Sequence, residues 1–151
     1  MKYSIVCGFE NMDVNYVYHQ LSAMYWSKNI PKEIVIKSLE NSLCFSVITD
    51  SNQQIGFARM ITDKATFAYL SDVFIDKKHQ EQGLSKALMK NILAHPDLQY
   101  LRRIMLATKD AHGLYEQFGF KELSSPDMFM EIHQAGLYTD TVNDQLCNDL
   151  S

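Results

Sequence analysis

Apolar residues recur along part of the chain with a helical period. From Asp13 onward they return every three or four residues, and Asp13 is well placed as the N-cap of a helix. Pro31 stands where a first helical turn begins, and the apolar residues after it predict a second, short helix. Gly83 precedes another helical pattern, and Pro96 lies just beyond its end. The predicted helices cover residues 13–26, 31–39, 84–92 and 112–118.

Between the helices, the pattern changes to short runs rich in Phe, Ile, Val, Tyr and Thr, which are typical of strands. Polar breaks at Asp50–Asn52 and Asp63–Lys64 separate three of these runs and predict an antiparallel meander. A helix connects the third run to the next strand, which predicts one parallel pair. The predicted strands cover residues 2–7, 43–49, 54–62, 66–75, 103–107 and 129–132.

The order of these elements is β-α-α-β-β-β-α-β-α-β. It predicts an α+β (mixed α/β) fold with a central mixed, mostly antiparallel sheet and flanking helices. No repeat or linker divides the chain, so we expect a single domain over residues 1–133. Residues 134–151 have little periodicity, and partial disorder of this C-terminal tail is the expectation.

Composition and charge narrow the function classes. The 151 residues are 46% hydrophobic and 21% charged, the profile of a compact globular protein. A formal net charge of −4 provides no basic field for nucleic acid. No apolar run approaches the roughly 20 residues that span a bilayer, and three scattered cysteines indicate free thiols in a reducing compartment. We expect a cytoplasmic protein that binds no nucleic acid, no membrane and no metal ion.

The segment over residues 73–88 carries the clearest chemical signal. An apolar strand runs into a polar turn, and Gly83 then opens a helix. Such a turn directs several backbone N–H groups at one point beside the positive end of a helix dipole, and therefore favours a phosphate group. Lys77, Lys78 and Lys86 add positive charge. The spacing is neither that of a Walker loop nor that of a dinucleotide fingerprint, so a purely structural turn stays open on this segment alone.

Two motifs resemble those of the GNAT superfamily of N-acetyltransferases. The sequence Gln-x-x-Gly-x-Ser at 80–85 is similar to that family's pyrophosphate loop, Arg/Gln-x-x-Gly-x-Gly/Ala. The sequence Ala-x-x-Leu-Tyr-Glu-Gln-Phe-Gly-Phe at 111–120 is similar to the family's Ala-x-x-Leu-Tyr-Glu-x-x-Gly-Phe. The element order also matches, and the resemblance covers about residues 2–133. It implies the GNAT fold, in which two parallel strands splay apart to admit the pantetheine arm of acetyl-coenzyme A, and acetyl transfer to an amine.

The resemblance also implies which residues hold acetyl-coenzyme A. The backbone of residues 73–75 would pair with the pantetheine arm, and the amides of residues 81–86 would cradle the pyrophosphate. Ser85 replaces the small Gly or Ala of the family, and Thr108 occupies the position of an asparagine that contacts the cofactor in many members. The cofactor-binding residues implied are Val73, Phe74, Ile75, Gln80, Glu81, Gln82, Gly83, Leu84, Ser85, Lys86, Thr108 and Tyr115.

Acetyl transfer to an amine needs a proton to leave the amine and a proton to reach the departing sulfur. The resemblance places Tyr115 beside that sulfur, so Tyr115 is the candidate general acid, with ring packing as the alternative. Asp72 falls on a mainly apolar strand face, where a carboxylate is costly unless it is paired or faces a cleft. It is the candidate base, directly or through water, or a ligand of the amine; otherwise it is a partner of Arg59. His112, on the same helical side as Tyr115, is the second candidate base.

Tyr25 and Trp26 end the first predicted helix, where the acceptor wall of GNAT enzymes begins. An aromatic pair binds a cationic or aromatic amine well, although core packing stays open as the alternative. With Arg59 and Asp72 they are the candidate substrate-binding residues. We expect a small-molecule primary amine and direct attack through a ternary complex; the alternatives are a protein or peptide acceptor and a non-catalytic acyl-coenzyme A-binding module. Two-fold dimers are common among small enzymes, so a homodimer is the candidate assembly.

Overall fold

A computed structural model of the chain describes residues 2–138. The remaining part of the predicted tail, residues 139–151 with Cys147, lies outside the described residues. The strands are β1 (Tyr3–Cys7), β2 (Leu43–Thr49), β3 (Gln54–Thr62), β4 (Phe67–Ile75) and β5 (Arg103–Leu106). The helices are α1 (Val14–Ala23), α2 (Lys32–Glu40), α3 (Leu84–Leu93) and α4 (His112–Glu116).

The five strands form one sheet in the order β1-β2-β3-β4-β5. The first three pairings are antiparallel, and β4 and β5 are parallel. The predicted mixed, mostly antiparallel sheet is therefore confirmed, as is the crossover through α3. The parallel register runs only from Phe67↔Arg103 to Leu70↔Leu106, while β4 continues to Ile75. The two strands consequently separate at their carboxyl ends, as the predicted splayed pair requires.

Two apolar layers cover the two faces of the sheet. On one face, α3 and α4 pack on the strands, and this layer includes Phe45, Leu88 and Tyr115. On the other face, α1 and α2 pack on the strands, with Val17 and Phe74 among the buried residues. Strand alternation sends neighbouring residues to opposite faces, which explains how one sheet supplies both layers. The sheet and its two layers hold the splayed pair in a fixed position.

A β-bulge interrupts β4 next to the splay. The register passes from Phe57↔Phe74 to Arg59↔Ser71, so that Ala58 of β3 lies opposite two residues of β4. One of these, Asp72, has a left-handed backbone with φ of 56°. Such a conformation is uncommon for a residue with a side chain, and bulges of this kind redirect side chains near binding sites. The bulge therefore directs Asp72 away from simple strand alternation.

The end of α1 differs from the prediction. The helix stops at Ala23 rather than Trp26, because Met24 has an extended backbone with ψ of 144°. Ser27 Oγ donates to the carbonyl oxygen of Leu21 at 2.6 Å and occupies an acceptor at the helix end. Tyr25 and Trp26 consequently belong to the connection between α1 and α2, and they are 70% and 44% exposed.

The strand predicted over residues 129–132 is wrong. This segment has no regular secondary structure, and Met130 and Ile132 are 98% and 96% exposed. Its apolar composition is typical of a strand, but the segment pairs with no described strand; the guanidinium carbon of Arg103 lies 4.9 Å from the ring centroid of Phe129. Residues 135–138 form a turn, and Tyr138 packs against the α1–α2 layer. The domain boundary at residue 133 stays a prediction.

Candidate active site

A cavity opens where β4 and β5 separate. We call it the inner cavity; its volume is about 780 Å³. Its walls come from the end of β4, the loop after β5, the start of α4 and the connection after α1. The predicted site residues that line it are Tyr25, Trp26, Asp72, Val73, Thr108 and Tyr115. The structure therefore brings the candidate acid, one candidate base and the aromatic pair together.

The carboxylate of Asp72 connects two sides of the inner cavity. Arg59 Nε donates to Asp72 Oδ2 at 2.8 Å, and Trp26 Nε1 donates to Asp72 Oδ1 at 2.9 Å. Arg59 Nη1 also donates to Ser42 Oγ at 3.2 Å. The side chains of Arg59 and Asp72 are only 15% and 8% exposed, so each charge depends on the other for compensation. Asp72 is therefore paired with Arg59, and the same carboxylate accepts the hydrogen bond that orients the Trp26 indole.

Tyr115, on α4, lines the inner cavity. It is 8% exposed, and its ring meets Phe120 edge-on with centroids 5.9 Å apart. The hydroxyl makes no hydrogen bond to another described residue, and burial raises the pKa of Tyr115 above its ordinary value near 10. The phenol is therefore protonated at neutral pH and has its proton available for a group in the cavity.

The two histidines near the site lie outside the inner cavity. His112 is exposed and lines a smaller neighbouring cavity of about 280 Å³, which shares Tyr115 and Thr108 with the inner one. His79 lies in the turn after β4, with Nδ1 3.6 Å from Asp76 Oδ1. His112 therefore lines a cavity next to the inner one, whereas His79 belongs to the turn.

The predicted pyrophosphate loop forms a concave pocket of about 250 Å³. Two of its residues have left-handed backbones, Glu81 with φ of 62° and Gly83 with φ of 78°. Gln80 Nε2 donates to the carbonyl oxygen of Ile75 at 3.1 Å and ties the loop to the end of β4. Of the predicted cofactor residues, those lining this pocket are Ile75, Gln80, Glu81, Gly83, Leu84, Ser85 and Lys86, whereas Gln82 is outside it.

The N-terminus of α3 suits an anion. No side chain caps it, so the first backbone N–H groups of this ten-residue helix keep their hydrogen-bonding capacity. A Cβ built on Gly83 would meet no described atom within 4 Å, which leaves space beside these amides. Thr108 Oγ1, by contrast, already accepts from the backbone N–H of Ala111 at 3.0 Å, and holds the loop before α4. The loop and helix end therefore fit a pyrophosphate group.

A second large cavity adjoins the inner one across Tyr25 and Trp26. We call it the outer cavity; its volume is about 730 Å³, and residues 132–138, which end in the turn at 135–138, also line it. Tyr138, in that turn, lies near Arg59 and Asp72, and burial raises the pKa of its phenol. Sequence reasoning assigns this turn to a frayed tail and misses it as part of the site.

Three further residues of the inner cavity have no signal in the sequence pattern. Tyr69 adds a fourth aromatic side chain to its lining, after Tyr25, Trp26 and Tyr115. Lys109 Nζ lies 5.5 Å from the ring centroid of Tyr25, and Asp110 makes no hydrogen bond or ion pair with another described residue. Lys109 and Asp110 stand in a loop outside both motifs, so only the fold reveals that they reach the site.

Other features of the described residues lie apart from this site. A cavity of about 570 Å³ at the outer edge of β5 contains none of the predicted site residues. Among residues 2–138 there is no group of three or more His, Cys, Asp or Glu side chains placed to hold a metal ion. No helix within the same residues has the length and apolar character needed to cross a bilayer.

Comparisons with known proteins agree with this geometry. The family model described as "Acetyltransferase (GNAT) domain" matches residues 14–133. A crystal structure from Xanthomonas campestris pv. campestris, provisionally assigned as a GNAT-family acetyltransferase, is 44% identical with a TM-score of 0.89, covering 92% of this chain and 98% of that one. A Gibberella zeae protein, provisionally assigned as an acetyltransferase, is 29% identical over 120 residues, 66% of this chain and 67% of the relative. Glucosamine-6-phosphate N-acetyltransferase from Arabidopsis thaliana shares the fold alone, at 11% identity and a TM-score of 0.63 over 90% of this chain and 99% of that one.

Proposed function

This chain belongs to the GNAT acetyltransferase family, and we propose that it transfers the acetyl group of acetyl-coenzyme A to a primary amine of a small molecule by direct attack within a ternary complex. In this reaction an N–C bond to the acetyl carbon forms, the C–S bond breaks, and a proton passes to the departing sulfur. The observation that carries the proposal is the position of Tyr115, a protonated phenol that lines the cavity between the splayed strands. The thioester supplies an activated acetyl group; the residues of the chain position the reactants and move the protons.

Binding of acetyl-coenzyme A is supported by the loop pocket and the uncapped N-terminus of α3. We propose that the amides of residues 81–86 hold the pyrophosphate and that Lys86 adds a positive charge there. The backbone groups of residues 73–75, beyond the last register pair with β5, are the proposed partners of the pantetheine arm. Val73 lines the inner cavity and Ile75 lines the loop pocket, so this segment joins the two.

For the two protons we propose separate groups. Tyr115 donates to the departing sulfur, and general-acid assistance of this kind is worth about 10²–10⁴-fold. Asp72 receives the proton from the amine, directly or through a water, with His112 as the alternative. Each oxygen of Asp72 accepts one hydrogen bond from a described residue, and a carboxylate offers about four acceptor positions, so capacity for a further donor is left.

The size of the inner cavity favours a small-molecule acceptor. At about 780 Å³ it lies within the range of roughly 300–1,000 Å³ that is usual for small-molecule sites. A protein or peptide acceptor is the second candidate, because the outer cavity extends the site along the surface. A non-catalytic binding module is less well supported, since such a module has no need for Tyr115 at the splay. Turnover in the cytoplasm and assembly as a homodimer belong to the same proposal; the free thiols of Cys7 and Cys44 suit a reducing compartment.

A thiol-release assay over a panel of primary amines tests the function. We expect release of coenzyme A that depends on both acetyl-coenzyme A and an amine, and an N-acetylated product with a mass gain of one acetyl group. Binding of acetyl-coenzyme A is measured in parallel by calorimetry. Binding without amine-dependent release from any small amine or peptide would favour the binding module, and release with peptides alone would favour the second candidate.

A further inference from the structure

The inner and outer cavities meet at one pair of side chains. Tyr25 and Trp26 line both cavities, whose volumes are about 780 and 730 Å³. A molecule that enters the inner cavity with its amine can therefore extend past these rings into the outer one. Only an acceptor long enough to pass this boundary therefore contacts the outer cavity.

This aromatic boundary is held in place although it is exposed. The Trp26 indole N–H donates to Asp72 Oδ1 at 2.9 Å, and the Tyr25 ring meets Trp26 edge-on, with centroids 5.0 Å apart and an interplanar angle of 89°. Their exposed fractions of 70% and 44% are high for large aromatic side chains fixed beside a cavity. Rigid, exposed aromatic rings of this kind are typical of surfaces that contact a ligand.

The two cavities differ in the charges that line them. The inner cavity has charges of both signs: Asp72 is paired with Arg59, Asp110 is a carboxylate without a described partner, and Lys109 lies over the Tyr25 ring. In the outer cavity, Lys28 and His133 are the basic side chains, and no carboxylate stands among its described lining residues. An amine therefore has carboxylates available at the inner end, whereas a negative group is favoured at the outer end.

We propose, on the basis of the function proposed above, that the acceptor is an elongated molecule with a primary amine at one end and an anionic group, carboxylate or phosphate, at the other. Its amine lies in the inner cavity, which Asp72 and Asp110 both line, its body crosses the Tyr25–Trp26 boundary, and its anionic end lies near Lys28 in the outer cavity. Lys28 is then a specificity-determining residue that acts on the tail of the acceptor.

Matched acceptors test the proposal with the full chain. At equal length, 6-aminohexanoate, hexylamine and 1,6-diaminohexane differ only in the charge at the far end. We expect the highest kcat/KM for 6-aminohexanoate and the lowest for 1,6-diaminohexane, with the difference mainly in KM because the tail binds away from the reacting atoms. For 3-aminopropanoate and propylamine, which are too short to cross the boundary, we expect no such preference. A comparison with 6-aminohexyl phosphate distinguishes a phosphate from a carboxylate.

A charge reversal at Lys28 tests whether the preference for an anionic tail depends on this residue. Lys28→Glu should lower the ratio of kcat/KM for 6-aminohexanoate to that for hexylamine by about fivefold, the scale of an exposed charge pair made repulsive. Lys90→Glu, an equal change on α3 at a residue that lines neither cavity, should leave this ratio unchanged. Equal kcat/KM for the three long acceptors would overturn the proposal, and so would a ratio of 6-aminohexanoate to hexylamine kcat/KM that Lys28→Glu does not change. In either case, thiol release that depends on an amine would leave the proposed acetyltransferase function standing. No thiol release with any amine would overturn both.

Discussion

Replacement of Tyr115 by Phe separates the chemistry of its hydroxyl from the packing of its ring. The ring, its edge-on contact with Phe120 and nearly all of the buried area are kept. The hydroxyl makes no hydrogen bond to another described residue, so we expect the free energy of unfolding to change by less than about 1 kcal/mol. The proton for the departing sulfur is lost.

The structure narrows the expected size of the catalytic effect. General-acid assistance is worth about 10²–10⁴-fold, or roughly 3–5 kcal/mol of activation free energy. Because the inner cavity of about 780 Å³ admits water, a water can replace the phenol as a poorer donor. We therefore expect kcat to fall by about 10²–10³-fold for Tyr115→Phe, at the lower end of that range. The KM for acetyl-coenzyme A should change little, since the phenol assists only in the transition state.

The assay is steady-state release of coenzyme A with an acceptor from the amine panel, together with thermal unfolding and the pH profile. Tyr16→Phe is the matched control: its hydroxyl is buried near Asp76, but Tyr16 packs on Phe74 and lines none of the described cavities. Because burial raises the pKa of Tyr115 above that of a free phenol, the wild type should lose activity only at a pH above the range in which a free phenol ionises, and the Phe variant should lack that limb. A Tyr115→Phe protein that turns over at the wild-type rate, with chemistry rate-limiting, would make Tyr115 a packing residue.

Three further outcomes are expected. Acetyl-coenzyme A at 100 times its Kd should raise Tm by about 5–10 °C, and an unchanged Tm at saturation would contradict the proposed loop. Asp72→Asn should lower the free energy of unfolding in urea by about 2–4 kcal/mol, because Arg59 loses its buried counter-charge. Asp97→Asn, which removes a charge from an exposed pair with Lys64, should lower it by less than about 1 kcal/mol. Equal losses for the two variants would contradict this account. Burial and the nearby Asp76 raise the pKa of Tyr16 to about 12, so the folded state retains this proton and loses stability as pH rises from 10 towards 12. Tyr16→Phe should therefore shift alkaline unfolding to higher pH, and an identical profile would show that other groups control it.

The sequence predicts the sheet well because its signals there are local and redundant. Each strand of the meander is an apolar run between polar turns, and Gly83 marks the start of α3 with a backbone that favours glycine. The end of α1 is different, since the apolar spacing continues through Tyr25. The helix ends where Met24 takes an extended backbone and Ser27 donates a hydrogen bond to Leu21, and the spacing of apolar residues encodes neither feature.

The candidate site is predicted where a motif is continuous and is missed where the fold assembles it. The loop at 80–86 and Tyr115 stand within two short motifs, so sequence reasoning reaches them. The bulge at Asp72 arises from how β4 pairs with β3, and strand alternation alone assigns that residue to a simple face. Tyr138 reaches the Arg59–Asp72 pair from a turn that shows no periodicity. Charge and aromatic character show what such residues can do, but only the tertiary fold shows where they do it.

The brief parallel ladder makes β5 the strand with the fewest pairings in the described sheet. It is joined to β4 by four register pairs, and parallel pairs are slightly weaker than antiparallel ones. A strand held in this way can open at a lower free energy than global unfolding. A ligand that contacts both β4 and β5 would keep β5 paired. Amide hydrogen exchange in β5 would then slow on binding more than exchange in β2, and occupancy of the site could be followed as the local stability of one strand.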